Sequence, residues 1–262
     1  MLSHSIAIPD CKTIQLVAGS FSSCEGFFLQ TKGNNPSLIY LYQPEQNTQK
    51  TLSQLLLGIQ EQQLNALLLP IDRNNAKTED KEIPFHDWLN NSLIMIKKSV
   101  EFCASATGSV QVILAGSGVG SWLAIQVVHQ KIVEVNGLIL DDGIPHINML
   151  LTMLLYDNSS EYYDSKNISN PLEAIGNITL PTLFFHGAAD NLVSIQEAEQ
   201  FQAVSGARKK QFYVIPGAQR GRLAETGGTI YFETVRRFVD EVCGRNSWRE
   251  RRRKYRQKRG NS

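Results

Sequence analysis

The stretch from residue 109 to residue 130, SVQVILAGSGVGSWLAIQVVHQ, constrains the fold more than any other part of the sequence. Residues 110–114 form a short, mostly apolar run rich in β-branched side chains, which is typical of a strand buried on both faces. A glycine-rich turn follows, and over residues 119–129 the apolar residues recur at helical spacing. This order predicts a helix that packs back onto the sheet to which the strand belongs.

The rest of the chain repeats these two patterns. Two short runs at its start, separated by turn-forming residues, predict an antiparallel hairpin. Beyond them, strand-like runs alternate with amphipathic helical segments, which favours an α/β domain with a mostly parallel sheet and helices on both faces. The predicted strands are 12–18, 25–31, 37–42, 64–71, 110–114, 135–140, 181–185 and 211–215, and the predicted helices are 52–63, 86–104, 119–129, 194–204 and 229–242. Residues 72–84 are predicted to form a surface loop, and residues 145–178 have no regular period. Ligands of such sheets bind at the carboxyl ends of the strands.

Composition divides the chain into a body and a tail. The chain has 262 residues, of which 42% are hydrophobic, and this suits one domain over residues 1–244. The net charge is +1, yet residues 245–262 hold nine Lys or Arg and one acid. A tail of about +8 therefore follows a body of about −7. The tail is either a solvated charge run or, between Arg245 and Arg259, a contact for nucleic acid or an anionic membrane surface.

Several features bear on cofactors and location. No apolar run approaches the roughly 20 residues needed to cross a bilayer, and the start of the chain lacks the pattern of a signal peptide. The four cysteines are scattered, without metal-ligand spacing. The glycine turn is not followed by the Lys-Ser/Thr pair of a phosphate-binding loop. We therefore expect a cytoplasmic, reduced protein with no metal or cofactor.

The glycine turn reads Gly116-Ser117-Gly118-Val119-Gly120, with the outer glycines of the Gly-x-Ser-x-Gly nucleophile elbow. Together with the later stretches LPTLFFHGAADNLVSIQEAEQF and YVIPGAQRG, it makes residues 12–242 resemble the α/β-hydrolase superfamily. The resemblance implies that fold, with a short cap at about residues 145–178, and it gives Asp190 the position of the catalytic acid. The elbow and the GAQRG loop are also similar to an uncharacterised bacterial α/β-hydrolase-like group, whose elbow reads Gly-His-Gly-x-Gly and which implies no known activity.

The other residues that this resemblance assigns to hydrolysis are replaced. The chemistry needs a nucleophilic oxygen, a histidine oriented by an acid, and two N–H groups that face the oxyanion. Gly118 stands at the nucleophile position, and Arg220 stands at the base position in the loop 217–220. Arginine stays protonated and cannot act as a general base. Val119 keeps one oxyanion N–H, whereas the other donor position, in the segment Tyr42-Gln43-Pro44, is proline and has no N–H.

Three functions remain open. The first is a catalytically inactive hydrolase-like protein with a retained ligand or partner cleft, for which Val119, Tyr42, Gln43 and His146 are the candidate binding residues. The second is an active esterase or thioesterase that uses Ser117 and Asp190 with a histidine from elsewhere, such as His146 or His186. The third is an adaptor that binds an anionic partner through its basic tail.

Individual residues also have structural interpretations. Asp190 is expected either to pair with Arg220 or to cap the loop that follows it. Some members of the superfamily place the catalytic acid after the strand that ends at Asp141 and Asp142, but here these residues are expected to have a supporting polar role or to anchor the cap. The start of the helix after Gly118, with Arg220 opposite, could also capture a small anion.

Overall fold

The computed structural model describes residues 10–18, 22–71, 84–154 and 169–244. The basic tail, the predicted loop at 72–84 except for its last residue, and the middle of the predicted cap lie outside these ranges. Their predictions therefore stay as they were made.

A single eight-stranded sheet forms the centre of the molecule, with the strand order β1-β2-β4-β3-β5-β6-β7-β8. The last six strands are mutually parallel. The first two form the predicted antiparallel hairpin, and the second of them joins β4 in antiparallel register. The strands are β1 (Cys11–Ala18), β2 (Ser22–Leu29), β3 (Ser37–Tyr42), β4 (Asn65–Pro70), β5 (Val112–Ser117), β6 (Gly137–Asp141), β7 (Thr182–Gly187) and β8 (Lys210–Ile215).

Helices cover both faces of the sheet, as the alternating pattern predicts. The helices are α1 (Gln49–Glu61), α2 (Phe85–Thr107), α3 (Val119–His129), α4 (Ile147–Met153), α5 (Pro171–Gly176), α6 (Ile195–Val204) and α7 (Leu223–Val242). Residues of α2 to α6 bury their apolar side chains against one face in what we call the first core, which contains Trp122, Ile175 and Phe201. Residues of α1 and α7 cover the other face in the second core, which contains Leu56 and Phe238.

Local signals explain where several elements begin. Ser194 caps α6, and its hydroxyl and the carboxylate of Glu197 form the reciprocal capping box that their spacing predicts. The sequence analysis missed both α4 and α5, which lie inside the region without a regular period. Asn170 caps α5 with its side chain, and a proline occupies the first turn. An Asn-Pro pair of this kind is a helix-start signal.

The end of β5 and the start of α7, which lies six residues before its predicted start, differ from the prediction. The structure extends β5 to Ser117, three residues beyond the predicted end, because the glycine-containing segment continues the ladder with β6. In α7, Gly228 has φ 48° and ψ −133° and breaks the helix just before the predicted segment begins. No helix within the described ranges is long and apolar enough to span a bilayer.

Close packing accounts for the two outer glycines of the elbow. A Cβ atom on Gly116 would lie 2.3 Å from the carbonyl carbon of Gly120, and a Cβ on Gly120 would lie 2.3 Å from the carbonyl oxygen of Leu41. Because both neighbours are backbone atoms, neither can move aside cheaply. The glycines therefore let α3 approach β3 and β5 closely enough to start directly at the strand end.

This contact predicts a large effect of Gly120→Ala. We expect the substitution to lower the free energy of unfolding by about 3 kcal/mol, because the added methyl group overpacks a backbone contact. The matched control is Gly176→Ala, whose Cβ would lie 3.5 Å from the carbonyl oxygen of Val204. We expect that control to change stability by less than about 1 kcal/mol. Urea unfolding of both variants measures the difference, and equal effects would contradict the packing argument.

Candidate functional site

The turn between β5 and α3 has the geometry of a strained elbow without a side chain at its apex. Gly118 adopts φ 53° and ψ −113°, a conformation that glycine reaches easily and other residues rarely adopt. Its N–H donates to the carbonyl oxygen of Asp141 at 3.0 Å. Its own carbonyl oxygen accepts hydrogen bonds from the N–H of Trp122 and the hydroxyl of Ser121. The turn is therefore held from both sides by hydrogen bonds.

Arg220 lies over this elbow, on the loop that follows β8. Its Nη1 atom is 3.6 Å from the position that a Cβ on Gly118 would take. The loop is anchored where Ala218 packs against the end of β7, since the Ala218 carbonyl oxygen accepts the N–H of Ala189 at 2.9 Å. The arginine side chain is only 6% exposed.

The predicted ion pair between Arg220 and Asp190 is present. The guanidinium Nη2 lies 2.9 Å from Oδ2 of Asp190, and Nε donates to Oδ1 at 3.3 Å. Oδ1 also accepts the N–H groups of Leu192 and Val193, so this carboxylate caps the following loop as well. Both structural interpretations of Asp190 are therefore found together.

Asp142 ties the same loop to two strand ends. Its Oδ1 accepts the N–H of Gly187 at 3.2 Å, and its Oδ2 accepts the N–H of Gly221 at 2.8 Å. Its carbonyl oxygen accepts a hydrogen bond of 2.7 Å from Nη1 of Arg220. Burial raises the pKa of Asp142 to about 6, although the nearby guanidinium of Arg220 opposes that shift. The expected supporting role of this residue is thus a specific one, because it positions the arginine.

His186 completes this buried polar group. Its Nδ1 lies 3.8 Å from Oδ1 of Asp142 and 4.0 Å from Oδ2 of Asp190. Burial lowers the pKa of His186. One ligand atom from each of these three residues falls within a 4.8 Å cluster that could hold a metal ion. However, the guanidinium of Arg220 already lies against Asp190 and supplies positive charge there.

A second buried group lies beneath the elbow, on the side of the second core. The hydroxyls of Tyr40 and Tyr231 both donate to Oδ2 of Asp141 at 2.7 Å. Burial raises the pKa of Asp141 to about 7, while the two tyrosine hydrogen bonds act in the opposite direction. Because the carbonyl oxygen of Asp141 accepts the N–H of Gly118, the carboxyl group of the same residue lies close beneath the elbow.

Ser117 belongs to this second group. It is 4% exposed and pairs with Asp141 across the β5–β6 ladder. Among the described residues, its hydroxyl has no hydrogen-bond partner of good geometry. Burial raises the pKa of Tyr40, and the nearby Ser117 hydroxyl opposes that shift. The Ser117 hydroxyl is therefore enclosed in the core beneath the elbow.

Two of the four candidate binding residues lie at the elbow and two do not. Val119 begins α3, and Oε1 of Gln43 is 3.3 Å from the Cβ position of Gly118. The side chain of Tyr42 instead packs into the second core, where burial raises its pKa. His146 is exposed and lies with Nε2 3.7 Å from Oε1 of Glu197. The candidate site is therefore formed by Gly118, Val119, Gln43 and Arg220, with Asp142 and Asp190 behind the arginine.

The buried Asp141 predicts an unusual dependence of stability on pH. Between the ordinary pKa of 3.8 and the folded value of about 7, the folded protein binds a proton at Asp141 that the unfolded chain does not. The contribution of this group to the free energy of unfolding therefore falls as the pH rises. Asp141→Asn imitates the protonated carboxyl and removes this dependence. Relative to the variant, the wild type should lose up to about 1.4 kcal/mol per pH unit across that range, measured by urea unfolding. A difference that does not change with pH would contradict the prediction.

Comparisons with known proteins find likeness in structure and none in sequence. No protein-family model matches the sequence, and no curated protein matches it. The Pyrococcus furiosus esterase Pf2001 matches with a TM-score of 0.65 and 15% identity, over 88% of this chain and 90% of that protein. Est1E from Butyrivibrio proteoclasticus has a TM-score of 0.62 and 14% identity, over 88% and 99% of the two chains. A predicted CIB-like hydrolase from Thermoplasma acidophilum has a TM-score of 0.60 and 12% identity, over 87% and 97%.

These likenesses extend over nearly the whole of each compared protein. At such low identity they concern the fold and leave the activity open. The chain therefore has the α/β-hydrolase fold that the elbow and the two later stretches of sequence imply.

Proposed function

We propose that this protein is a catalytically inactive α/β-hydrolase-fold protein that keeps its elbow as a ligand-binding site. The observation that carries the proposal is the position of Arg220. Nη1 of Arg220, the residue at the base position, lies 3.6 Å from the position that a Cβ on Gly118 would take. Arg220 is also paired with Asp190, the residue at the acid position. The positions that the resemblance assigns to the nucleophile, the acid and the base thus lie close together, while Gly118 and Arg220 are unsuited to the reaction.

The chemistry of these side chains excludes the usual route to an acyl-enzyme. Glycine offers no oxygen for attack, and the guanidinium of Arg220 cannot take a proton at any working pH. In addition, Pro44 begins a short 3-10 helix, and it has no N–H to offer to an oxyanion. Of the two oxyanion-facing N–H groups that the resemblance implies, only that of Val119 is left.

The alternative of an active hydrolase with another set of residues has little support. Along a strand, successive side chains point to opposite faces of the sheet. Ser117 shares the face of Ala115 in the second core, whereas His186 shares the face of Phe184 in the first core. The sheet therefore separates Ser117 from His186, and His146 is engaged with Glu197 at the protein surface.

The third function, an adaptor that binds through its basic tail, depends on residues beyond 244. These lie outside the described ranges, and no contact of the described residues favours that function over the first.

Serine-directed labelling tests the proposal. We expect the wild type to be inert toward a fluorophosphonate probe and toward a panel of short acyl esters. The double variant Gly118→Ser, Arg220→His should react slowly with the probe, because Asp190 would then orient a histidine toward a serine. Its rate should stay about 100-fold to 1,000-fold below that of an ordinary serine hydrolase, because one oxyanion donor is missing.

The matched control is Gly118→Ser alone. It has a nucleophile but keeps the arginine, so it should not be labelled. Labelling of the wild type would refute the proposal, and identification of the modified serine would then locate the active site.

A further inference from the structure

Strand β8 forms one edge of the sheet and, among the described residues, pairs with β7 alone. The carbonyl oxygens of Lys209 and Ile215 accept N–H groups from β7 and from the residue that follows it, so the main-chain groups of odd-numbered residues face β7. These groups alternate in direction along a strand. The N–H and C=O groups of Lys210, Phe212 and Val214 therefore point away from the sheet, in a single row.

The described part of this edge lacks the usual protection against pairing with another strand. Sheets protect their edges with outward charges, proline or a bulge. The sequence of β8 is KQFYVI, and its register with β7 is continuous, so it contains neither proline nor a bulge. Its one charged side chain, that of Lys210, is folded back: Nζ donates to the carbonyl oxygens of Ala203 and Ser205 at 2.9 Å and 3.0 Å.

The opposite edge of the sheet, β1, differs in this respect. It carries the exposed side chain of Lys12, and Nζ of Lys98 on α2 donates to the carbonyl oxygen of Val17. Charged lysines at an edge disfavour the approach of another strand. Of the two edges of the sheet, β8 is thus the one suited to a contact between strands.

The apolar side chains of β8 are only partly buried. Residues 211–214 have intermediate exposure, whereas every residue of β7 is buried. Phe212 lies in register with Phe184 on the face of the first core. On the other face, the ring of Tyr213 lies 5.8 Å from that of Phe185. A further strand beside β8 would bury more of both exposed rings and extend both rows of side chains.

We propose that β8 pairs in antiparallel orientation with β8 of a second copy of this chain, about a two-fold axis that passes through Phe212. In this register Phe212 lies opposite Phe212 of the second copy, and Lys210 lies opposite Val214. Each of these pairs exchanges two main-chain hydrogen bonds, so every outward group of β8 is bonded. The two phenylalanines form an aromatic cross-strand pair, and each lysine faces a valine rather than a like charge.

Two-fold registers shifted by one residue in either direction bond fewer groups. A shift toward the carboxyl end places Lys210 opposite Pro216, which has no N–H. The reverse shift places Val214 opposite Arg208, whose N–H already donates to the carbonyl oxygen of Thr179 at 3.4 Å. The main chain on both sides of β8 therefore selects the register centred on residue 212.

This inference goes beyond the proposed function and does not depend on it, because the contact lies at a strand edge and not at the elbow. A two-fold axis perpendicular to the sheet reverses the strand direction. The carboxyl ends of the parallel strands, and with them the two elbows, would therefore face opposite directions in the joined sheet.

Sedimentation velocity of the full-length protein over a wide range of concentrations tests the inference. We expect a reversible dimer with twice the monomer mass of 29.3 kDa. Val214→Pro removes an outward N–H and leaves the bonds to β7 in place, since proline is tolerated where its nitrogen faces away from the sheet. It should raise the dissociation constant of the dimer at least tenfold. Val214→Thr is the matched control, because it keeps the N–H and the β-branched shape, and it should dimerise like the wild type.

Cross-linking tests the register without depending on the proline variant. Gln211 lies opposite Tyr213 of the second copy in a non-hydrogen-bonded pair, where the Cα atoms are about 4.5 Å apart and a disulfide fits. An oxidised mixture of the single variants Gln211→Cys and Tyr213→Cys should form a disulfide between the two introduced cysteines, identified by mass spectrometry of peptides. Neither variant alone should form a disulfide through its introduced cysteine.

Several results would overturn the inference. These are a monomeric wild type at every concentration, a folded Val214→Pro variant that dimerises like the wild type, and a mixture without the disulfide. A dimer that dissociates in high salt but ignores Val214→Pro would place the contact in the basic tail instead.

Discussion

The contact on which the candidate site depends is the buried pairing of Arg220 with Asp190 and with the main chain of Asp142. It links the loop after β8 to the ends of β6 and β7, so that the ends of three strands are joined at one place. A histidine in this place, as in a catalytic triad, would take a proton from the nucleophile and later give it to the leaving group, while the acid only orients it. The arginine instead holds a permanent charge, so the same connection becomes a fixed electrostatic link. Removing either partner alone would leave a buried charge unpaired, which is strongly destabilising.

The elbow itself does not need a nucleophile in order to persist. Its shape follows from the approach of α3 to β3 and β5, which requires glycine at positions 116 and 120. At the apex, φ 53° is a strained value for serine and an easy one for glycine. Glycine at position 118 therefore avoids backbone strain, while the packing keeps the turn in place. This explains how the turn can keep its shape without a side chain at its apex.

Local pattern was sufficient for most of the fold. The runs of apolar residues predict all eight strands, and the Ser194–Glu197 spacing predicts the start of α6 because a capping box is formed within four residues. The resemblance also located Asp190 and Arg220 at facing strand ends. By contrast, the group formed by Asp141, Tyr40 and Tyr231 joins residues that are 90 and 101 positions apart, and no local signal predicts such a contact. His146 was misplaced for a related reason: its position after β6 is correct, but its side chain turns toward Glu197 on α6.

The glycine at 118 and the arginine at 220 are best understood as a pair. Nη1 of Arg220 lies 3.6 Å from the Cβ position of Gly118, so a serine hydroxyl, which extends beyond Cβ, would have to share the space at the end of the guanidinium. With glycine, the guanidinium can lie directly over the turn. The two residues therefore depend on each other: glycine leaves room for the guanidinium, and the guanidinium fills the space above a turn that has no side chain at its apex.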